Sequence, residues 1–428
     1  MRLCLATEWR ATTQNPELVA MGIRELVGVG DYKKLITARF LSNIGNGMSP
    51  IAMSFGVLEL EGTNEFSLSI VMFSVWVPMI LLMLFGGVIA DRVKRTLLVG
   101  GMDLIAAAIT VIQALLFMTD TATVPLLCLT NVFFGIGVAM WWPAFGGLMP
   151  EIIQEHQLQS ANSMMGFMAN FGNIIGAFLG GSIVAFAGPE WALLIDGASF
   201  VGAGLLVLAI RVGNTPPKET KEVTMLDDLV HGWREVVSRQ WVIAVIASFA
   251  FINMAFESVI TVLGPLQFDR VYHGARDWGI VMGSESLGML FGVVLALKYR
   301  PRQPMRSAMI AILLPSVFMF VIGLHPPILV VVPFAFMAGV GIDIFAVLWM
   351  TAVQSRIPTG SLSRVFSYDA LGSNILVPLG LVIAGPLAAR TSPSTALIAG
   401  SVVAVIATLL CFSAREVRHL PEAVTTDS

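Results

Sequence analysis

The stretch GGVIADRVKR, residues 86–95, lies between two long apolar segments, SIVMFSVWVPMILLMLF (69–85) and TLLVGGMDLIAAAITVIQALLF (96–117). A helix that crosses the hydrocarbon core of a bilayer needs about 20 apolar residues, and both flanking segments approach that length. One acid and three bases are therefore concentrated in a short turn between two candidate membrane spans. A basic turn of this kind is typical of the cytoplasmic side of a membrane.

The composition of the whole chain supports a membrane location. Of the 428 residues, 56% are hydrophobic and 12% charged, and the mean hydropathy is +0.82. Soluble domains carry about 25% charged residues. The net charge of −3 gives no basis for binding nucleic acid. No cysteine or histidine spacing fits a metal site or a disulfide framework, so we expect no metal and no cofactor.

About twelve segments are long and apolar enough to span a bilayer as helices. Only Arg270, Arg276 and Arg390, of the 25 Lys and Arg residues, fall in loops on the side opposite the N-terminus. This bias predicts that both termini are cytoplasmic. The predicted spans are 38–60, 67–90, 96–118, 123–149, 162–187, 190–210, 241–268, 278–298, 305–324, 327–354, 366–389 and 394–413.

The longest predicted cytoplasmic loop divides these spans into two sets of six. The predicted organisation is an N-terminal segment (1–32), a first bundle (33–210), a central loop (211–240), a second bundle (241–413) and a C-terminal tail (414–428). Apolar residues repeat at helical spacing within the loop, which predicts an amphipathic helix on the inner leaflet, the alternative being a solvated linker. These residues are Leu226, Leu229, Val230, Trp233, Val236 and Val237.

The two halves resemble each other in sequence. FGGVIADRVKRTLL after the second span parallels FGVVLALKYRPRQPM after the eighth, and GIGVAMWWPAFGGLMPEII in the fourth parallels GVGIDIFAVLWMTAVQSRI in the tenth. Two related six-helix halves predict a duplicated transporter whose binding site lies between the halves, near the middle of the membrane.

With these features the chain resembles the major facilitator superfamily. The loop motif G-x-x-x-D-[RK]-x-G-[RK]-[RK] of that family is matched at Gly87, Asp91, Arg92 and Arg95, with Lys94 and Thr96 as departures. The fifth span resembles the antiporter motif G-x-x-x-G-P-x-x-G-G at Gly172, Gly176, Gly180 and Gly181, with Ala177 in place of proline. The resemblance implies an all-α membrane protein with the major facilitator fold. Within the family, the chain is similar to bacterial drug and siderophore exporters.

The resemblance also implies a role for the opening stretch. In the family the matching aspartate pairs with a base and with the start of the eleventh helix, whose dipole favours an anion. Here we expect Asp91 to face Arg364 and to hold the halves together on the cytoplasmic side. The alternative is a loop that only fixes the orientation of the chain in the membrane.

Ionisable residues inside a span are costly and indicate function by default. Glu257 in the seventh span, Glu285 in the eighth and Asp343 in the tenth are candidates for binding protons or a cationic group, and Asn253 lies one turn before Glu257. The alternative is that each carboxyl is structural and hydrogen-bonded to neighbouring helices. Asp196 and Asp369 lie closer to predicted span ends, where snorkelling or capping is the simpler explanation.

The first span has a polar stripe of its own, Arg39, Asn43 and Asn46, which we expect to face the central cavity or a partner helix. The glycines of the fifth span recur every four residues. They predict either a packing seam that limits leakage or ordinary close helix contact.

The predicted function is secondary export of amphiphilic or hydrophobic small molecules by alternating access, in exchange for protons, across a bacterial plasma membrane. The expected partners are the substrate, protons and membrane lipid, with no obligatory protein partner. An uptake symporter or a lipid flippase of the same fold is an alternative, and a membrane enzyme or receptor is an alternative of another class. The chain has neither a Walker A motif nor a G-x-S-x-G elbow, which argues against an ATPase and a serine hydrolase.

Overall fold

The computed structural model describes residue 26 and residues 28–90, 93–154, 157–211, 233–298, 301–357 and 361–420. This part of the chain is built from helices and contains no strand. The first six long helices are α1 (Gly30–Glu59), α2 (Glu65–Ala90), α3 (Arg95–Met118), α4 (Val124–Ile152), α5 (Leu158–Ala187) and α6 (Pro189–Leu208). The next six are α7 (Gln240–Val271), α8 (Gly274–Lys298), α9 (Pro304–Gly323), α10 (Ile328–Arg356), α11 (Leu362–Asn374 with Val377–Arg390) and α12 (Pro393–Cys411), and a short α13 (Arg415–His419) follows.

Eleven segments of the described chain are long and apolar enough to cross a membrane. The helix missing from that set is α1, because Asn43, Asn46 and Pro50, with several serines and glycines, lower the hydropathy of its apolar segment. It nevertheless packs along α5 and α6 like the other helices of the bundle. The prediction of an all-α, multi-pass membrane protein is confirmed.

The twelve helices form two halves, α1–α6 and α7–α12. In the first half α2 packs on α4, α3 on α6, and α1 on both α5 and α6. In the second half α8 packs on α10, and α12 packs on α7 and α9. The main contacts between the halves are α5 with α8 and α2 with α11.

The halves are joined most closely at one end, where α1 ends and α2 begins; we call this the α1–α2 end. One continuous hydrophobic cluster there includes Phe55 and Leu68 of the first half and Val262 and Trp278 of the second. At the opposite, α2–α3 end, the first half has a separate core, which includes Tyr32. Among the described residues, the two halves therefore share a buried core at the α1–α2 end and not at the α2–α3 end.

Proline explains two interruptions of the helices. In α7 a π-helical turn, Val259–Leu263, precedes Pro265, and in α11 the helix is interrupted before Pro378. Proline has no N–H group to donate to the carbonyl four residues earlier, so the regular hydrogen-bond ladder fails at these points. Such irregular turns are frequent near functional sites in membrane helices.

The amphipathic helix predicted in the central loop falls mostly on residues 212–232, which lie outside the described residues. Residues 233–237 are helical. Trp233 contacts Tyr368 of α11, with ring centroids 5.7 Å apart, and Val236 is buried. The predicted orientation of the remaining part, with Leu226, Leu229 and Val230, stays a prediction.

Candidate functional site

Three carboxyl groups lie inside the second half, on α7, α8 and α10. Glu285 of α8 is only 6% exposed, and Glu257 of α7 is close enough to it for their charges to interact. Asp343 of α10 has one oxygen, Oδ2, that is buried without a hydrogen-bond partner. None of the three forms a salt bridge within the described chain. The sequence predicted all three as candidates. The structure brings Glu257 and Glu285 close together, whereas Asp343 lies beside Gly292, two turns further along α8 than Glu285.

Close packing of α8 on α10 positions two of these acids. Gly339 of α10 lies directly against the backbone carbonyl of Glu285, and no side chain would fit there. Two turns further along α8, a Cβ at Gly292 would lie 3.0 Å from the Cβ of Asp343. Glycine lets the two helices approach at both points, so the backbone that carries each carboxyl is held firmly.

Asn253, one turn before Glu257 on α7, bonds to α11. Its Nδ2 donates to the backbone carbonyl of Ser373 (3.0 Å) and to Oδ1 of Asn374 (3.2 Å). Ser373 and Asn374 lie where α11 is interrupted. The Asn253 amide therefore donates to a backbone carbonyl that the interrupted helix leaves without its usual N–H donor. The hydrogen bonds give Asn253 a structural role at the α7–α11 contact.

Asp369 of α11 differs from the expectation that it lies near a span end and snorkels or caps. Its Oδ2 accepts a hydrogen bond from the indole Nε1 of Trp349 on α10 (2.9 Å), and its Oδ1 accepts one from Ser373 (2.9 Å). The carboxyl therefore points into the helix bundle and connects α10 with α11.

The first half contains a buried ion pair that the sequence did not reveal. Arg39 of α1 donates from Nη2 to Oδ2 of Asp103 on α3, at 2.7 Å, and the two residues are 4% and 2% exposed. The indole Nε1 of Trp141 on α4 donates to the other oxygen of Asp103, at 3.0 Å. The guanidinium also lies over the Trp141 ring, 4.6 Å from its centroid. A single acid within the apolar run of α3 is the signal that points to Asp103.

The polar stripe of α1 divides between two directions. Asn43 donates to the backbone carbonyl of Arg39 (2.6 Å) and lies on the side of α1 that faces Gly172 of α5. Asn46 is exposed and lines a cavity together with Arg39 and Asp103. Asn43 thus faces a partner helix, and Asn46 faces a cavity within the first half. A position of the stripe on the central cavity between the halves stays a prediction.

Asp196 of α6 is another buried acid, whereas the sequence placed it near a span end. The residue is fully buried, and its Oδ2 has no hydrogen-bond partner. Its side chain occupies the space beside Gly45 of α1, where any Cβ would collide with the carboxyl group. It lies at the contact of α1 with α6 and is not available for snorkelling.

The four glycines of α5 form two contacts. Gly172, Gly176 and Gly180 lie against the backbone of α1; a Cβ at Gly180, for example, would be 2.7 Å from the Cα of Met48. Gly181 faces α8 instead, where its Cβ would be 2.7 Å from the Cα of Gly279. The first three pack within one half, and the fourth lies at the junction of the two halves.

The structure describes only some of the residues of the cytoplasmic latch that the sequence predicts around residues 86–95. Asp91 and Arg92 lie outside the described residues, and Gly87 and Arg364 lie near the ends of α2 and α11. Arg95 donates to Glu151 (2.6 Å) and to the backbone carbonyl of Gly147 (2.9 Å), both on α4. These bonds hold α3 to α4 within the first half, and the role of the five residues in a latch between the halves stays a prediction.

Three bonded pairs connect the halves at the α1–α2 end. Ser54 of α1 donates to the backbone carbonyl of Thr261 on α7 (3.0 Å), and the backbone N–H of Gly385 on α11 donates to Ser69 of α2 (2.8 Å). The third pair is a salt bridge between Glu65 of α2 and Arg270 of α7.

Comparison with known proteins agrees with this architecture. The chain is 24% identical over 374 residues to the multidrug efflux pump Tap of Mycolicibacterium fortuitum, covering 84% of this chain and 89% of that protein. Two solved structures share the fold. The nucleoside transporter NupG has a TM-score of 0.69 and 15% identity, with 90% of this chain and 99% of that chain covered. A bacterial homologue of the human lysosomal transporter Spinster, in an inward-facing and unoccupied conformation, has a TM-score of 0.69 and 16% identity, with 91% and 97% covered.

A family model described as Major Facilitator Superfamily matches residues 35–381, which includes most of both halves. This match spans well over half of the chain and includes the helices that carry every described candidate residue above. The chain is therefore a transporter, not an enzyme, and belongs to the Major Facilitator Superfamily.

Proposed function

We propose that this transporter exports amphiphilic or hydrophobic small molecules in exchange for protons. The observation that carries the proposal is the group of three acids in the second half, Glu257, Glu285 and Asp343, which lie within the membrane-spanning helices without a cationic partner in the described chain. A carboxylate in such a place is strongly disfavoured unless it binds a proton or a positive group. Competition between a proton and a cationic substrate for one carboxyl would couple their movements in opposite directions.

The arrangement of the halves supports alternating access. The bonded pairs at the α1–α2 end and the shared core there connect the halves, and the first half has its own core at the other end. The distribution of Lys and Arg favours a cytoplasmic location for the α2–α3 end. In this proposal the conformation of the described chain is closed towards the outside. Rocking of the two halves would then expose the binding site to each side of the membrane in turn.

Export is favoured over uptake by the similarity to Tap, whose name describes a multidrug efflux pump. A bacterial plasma membrane is the proposed location because the curated relatives are bacterial proteins. Uptake remains the competing direction, and the transport assay below distinguishes the two.

The test uses inverted membrane vesicles that contain the full chain and an imposed pH gradient, acidic inside. A fluorescent amphiphilic cation such as ethidium is added, and its accumulation is recorded together with proton release from the vesicle interior. Export in exchange for protons predicts accumulation that collapses when an uncoupler removes the gradient. Accumulation that is unaffected by the uncoupler, or movement of protons and ethidium in the same direction, would contradict the proposal.

Variants then separate the acids. Glu257→Gln, Glu285→Gln and Asp343→Asn each keep the size of the side chain and remove its charge. At least one of them should abolish accumulation driven by the gradient while ethidium binding to the purified protein remains measurable. Glu61→Gln is the matched control, because Glu61 is exposed in the loop between α1 and α2. If all three variants keep full coupling, these acids do not carry the proton.

A further inference from the structure

We propose that a cavity inside the first half binds an apolar amphiphile whose polar head accepts hydrogen bonds. The cavity has a volume of about 170 Å³ and lies between α1, α3, α4 and α6. All of its lining residues belong to the first half, so it is separate from the acids of α7, α8 and α10. The inference concerns binding alone and does not depend on proton coupling.

The polar wall of the cavity contains a hydrogen-bond donor that has no partner among the described residues. Arg39 is 4% exposed, and its Nε–H has no hydrogen-bond partner. Each oxygen of Asp103 already accepts one hydrogen bond, Oδ2 from Arg39 and Oδ1 from Trp141, and its charge is balanced by the guanidinium. A buried donor without a partner is costly, so a ligand that supplies an acceptor would be bound preferentially. A carbonyl or a carboxylate fits this wall, whereas an ammonium group would bring further donors next to a guanidinium.

The remaining walls are apolar and rich in aromatic side chains. Phe134 and Phe200 lie edge to face with ring centroids 6.2 Å apart, and the Trp141 ring stacks on Phe145 at 4.6 Å. Both Phe134 and Phe200, with Trp141, line the cavity. Such walls accommodate flat apolar bodies, and the volume suits a body of one or two rings.

The position of the lining residues indicates where a ligand enters. Ile105 of α3 and Phe133 of α4 line the cavity and are also 47% and 54% exposed on the surface of the bundle. Each belongs to a row of exposed apolar residues at helical spacing, which marks the surface that faces lipid. The other members of these rows are Ile112 and Leu115 on α3 and Leu126 and Leu129 on α4. The mouth of the cavity therefore opens between α3 and α4 towards the bilayer, from which amphiphiles partition.

Gly137 allows a test that fills the cavity without disturbing the fold. It lines the cavity, and a Cβ at this position would have no atom within 4 Å. Gly137→Leu would place a branched side chain in the ligand's space. Gly146→Leu is the matched control on the same helix, because Gly146 also has free space around it but does not line the cavity.

The probe is 6-propionyl-2-dimethylaminonaphthalene, a two-ring amphiphile with a carbonyl head. Its binding to the purified full-length protein in nanodiscs is measured by energy transfer from tryptophan, with empty nanodiscs as the background and no pH gradient. Wild type and Gly146→Leu should show saturable transfer, and Gly137→Leu should weaken binding by about tenfold or more, since the side chain removes most of the space. Absence of saturable transfer in wild type, or an affinity of Gly137→Leu within about twofold of wild type, would overturn the proposal.

Displacement of the probe tests the head group and its source. 2-Naphthoate and 2-acetylnaphthalene should displace it at about tenfold lower concentration than 2-naphthylmethylammonium; equal displacement would overturn the assignment of the head. Added oleate that also displaces the probe identifies a lipid as one source of the ligand, and displacement by the naphthalenes alone identifies aromatic small molecules. Because no gradient is present, this binding can fail while proton-coupled export stands, and export can fail while the binding stands.

Discussion

Replacing Gly279 with alanine should open the α1–α2 end of the transporter. Gly279 of α8 meets Gly181 of α5 at the junction of the two halves, and a Cβ at Gly279 would lie 2.7 Å from the Cα of Gly181 and 2.8 Å from the carbonyl oxygen of Ala177. All these neighbours are backbone atoms, so no side chain can rotate out of the way. Carbon atoms in contact are usually about 3.5–4.0 Å apart, so the helices must separate by about 1 Å.

The magnitude of the effect follows from this overlap. Overpacking by one methyl group costs about 1–3 kcal/mol in a well-packed interface. The cost falls on the state in which α5 and α8 touch at this end and not on a state in which the ends are apart. The equilibrium should therefore shift towards opening at the α1–α2 end by a factor of roughly 5 to 150.

Accessibility of a buried cysteine measures this shift. Ser54→Cys is introduced in a background that lacks Cys4, Cys128 and Cys411, since Ser54 is fully buried where the halves meet. Whole cells are treated with a maleimide that does not cross membranes, and the labelling rate is compared with and without Gly279→Ala. Labelling should accelerate in proportion to the open fraction. Gly181→Ala should have the same effect, and the double variant should be less than additive because both act at one contact.

Gly101→Ala is the control, because a Cβ at Gly101 meets no atom within 4 Å. It should leave the labelling rate unchanged. If Gly279→Ala is well folded by its elution profile and labels no faster than the control, the contact between Gly181 and Gly279 does not hold this end closed, and the reasoning from the structure is refuted.

Three further changes test other contacts. Arg39→Met should lower stability by about 3–5 kcal/mol, because Asp103 then remains buried without its cation; the double variant with Asp103→Leu should recover most of the loss in thermal unfolding of the purified protein. Asn253→Ala should cost about 1–3 kcal/mol in the same measurement by leaving the carbonyl of Ser373 without its donor; an unchanged melting temperature would contradict this role. Asp196→Asn should change the melting temperature by only a few degrees, since the carboxyl has no cationic partner among the described residues; a loss as large as that of Arg39→Met would show that Asp196 is charged and paired.

The sequence predicted the course of the chain well because the hydrocarbon core selects for apolar residues along each span. The span predicted at 96–118 corresponds to α3, Arg95–Met118, and the span at 162–187 to α5, Leu158–Ala187. The largest difference is in α1, which begins at Gly30 although the apolar segment was predicted from 38. Hydropathy locates the part of a helix that lies in lipid, but it does not detect a helical turn that extends into the polar interface.

The site was less predictable because the relevant partners are far apart in sequence. The pairing of Arg39 with Asp103, 64 residues apart, depends on which faces of α1 and α3 meet, and charge alone does not fix this. The partners of the α5 glycines were equally hidden, because a four-residue repeat predicts one shared face and gives no sign that Gly181 faces a different helix. Interruptions of α7 and α11 were likewise not predicted, since proline is common in membrane helices and only some prolines disturb them.

The Arg39–Asp103 pair distinguishes the first half from the second, although the halves share a repeated architecture. Asp196 of the first half is, like the acids of the second, buried without a cationic partner among the described residues. In the first half the cation of Arg39 and the anion of Asp103 neutralise each other within 2.7 Å, so this pair is suited to fixing helices and to lining a neutral cavity. In the second half Glu257, Glu285 and Asp343 have no such partner among the described residues. Binding a proton does not stabilise an ion pair whose charges already cancel. It does stabilise an isolated carboxylate in a low-dielectric surrounding, because the proton neutralises the charge. The same protein can therefore hold a hydrogen-bond-accepting amphiphile in one half and exchange protons in the other, and the Glu257→Gln and Gly137→Leu variants should impair different steps.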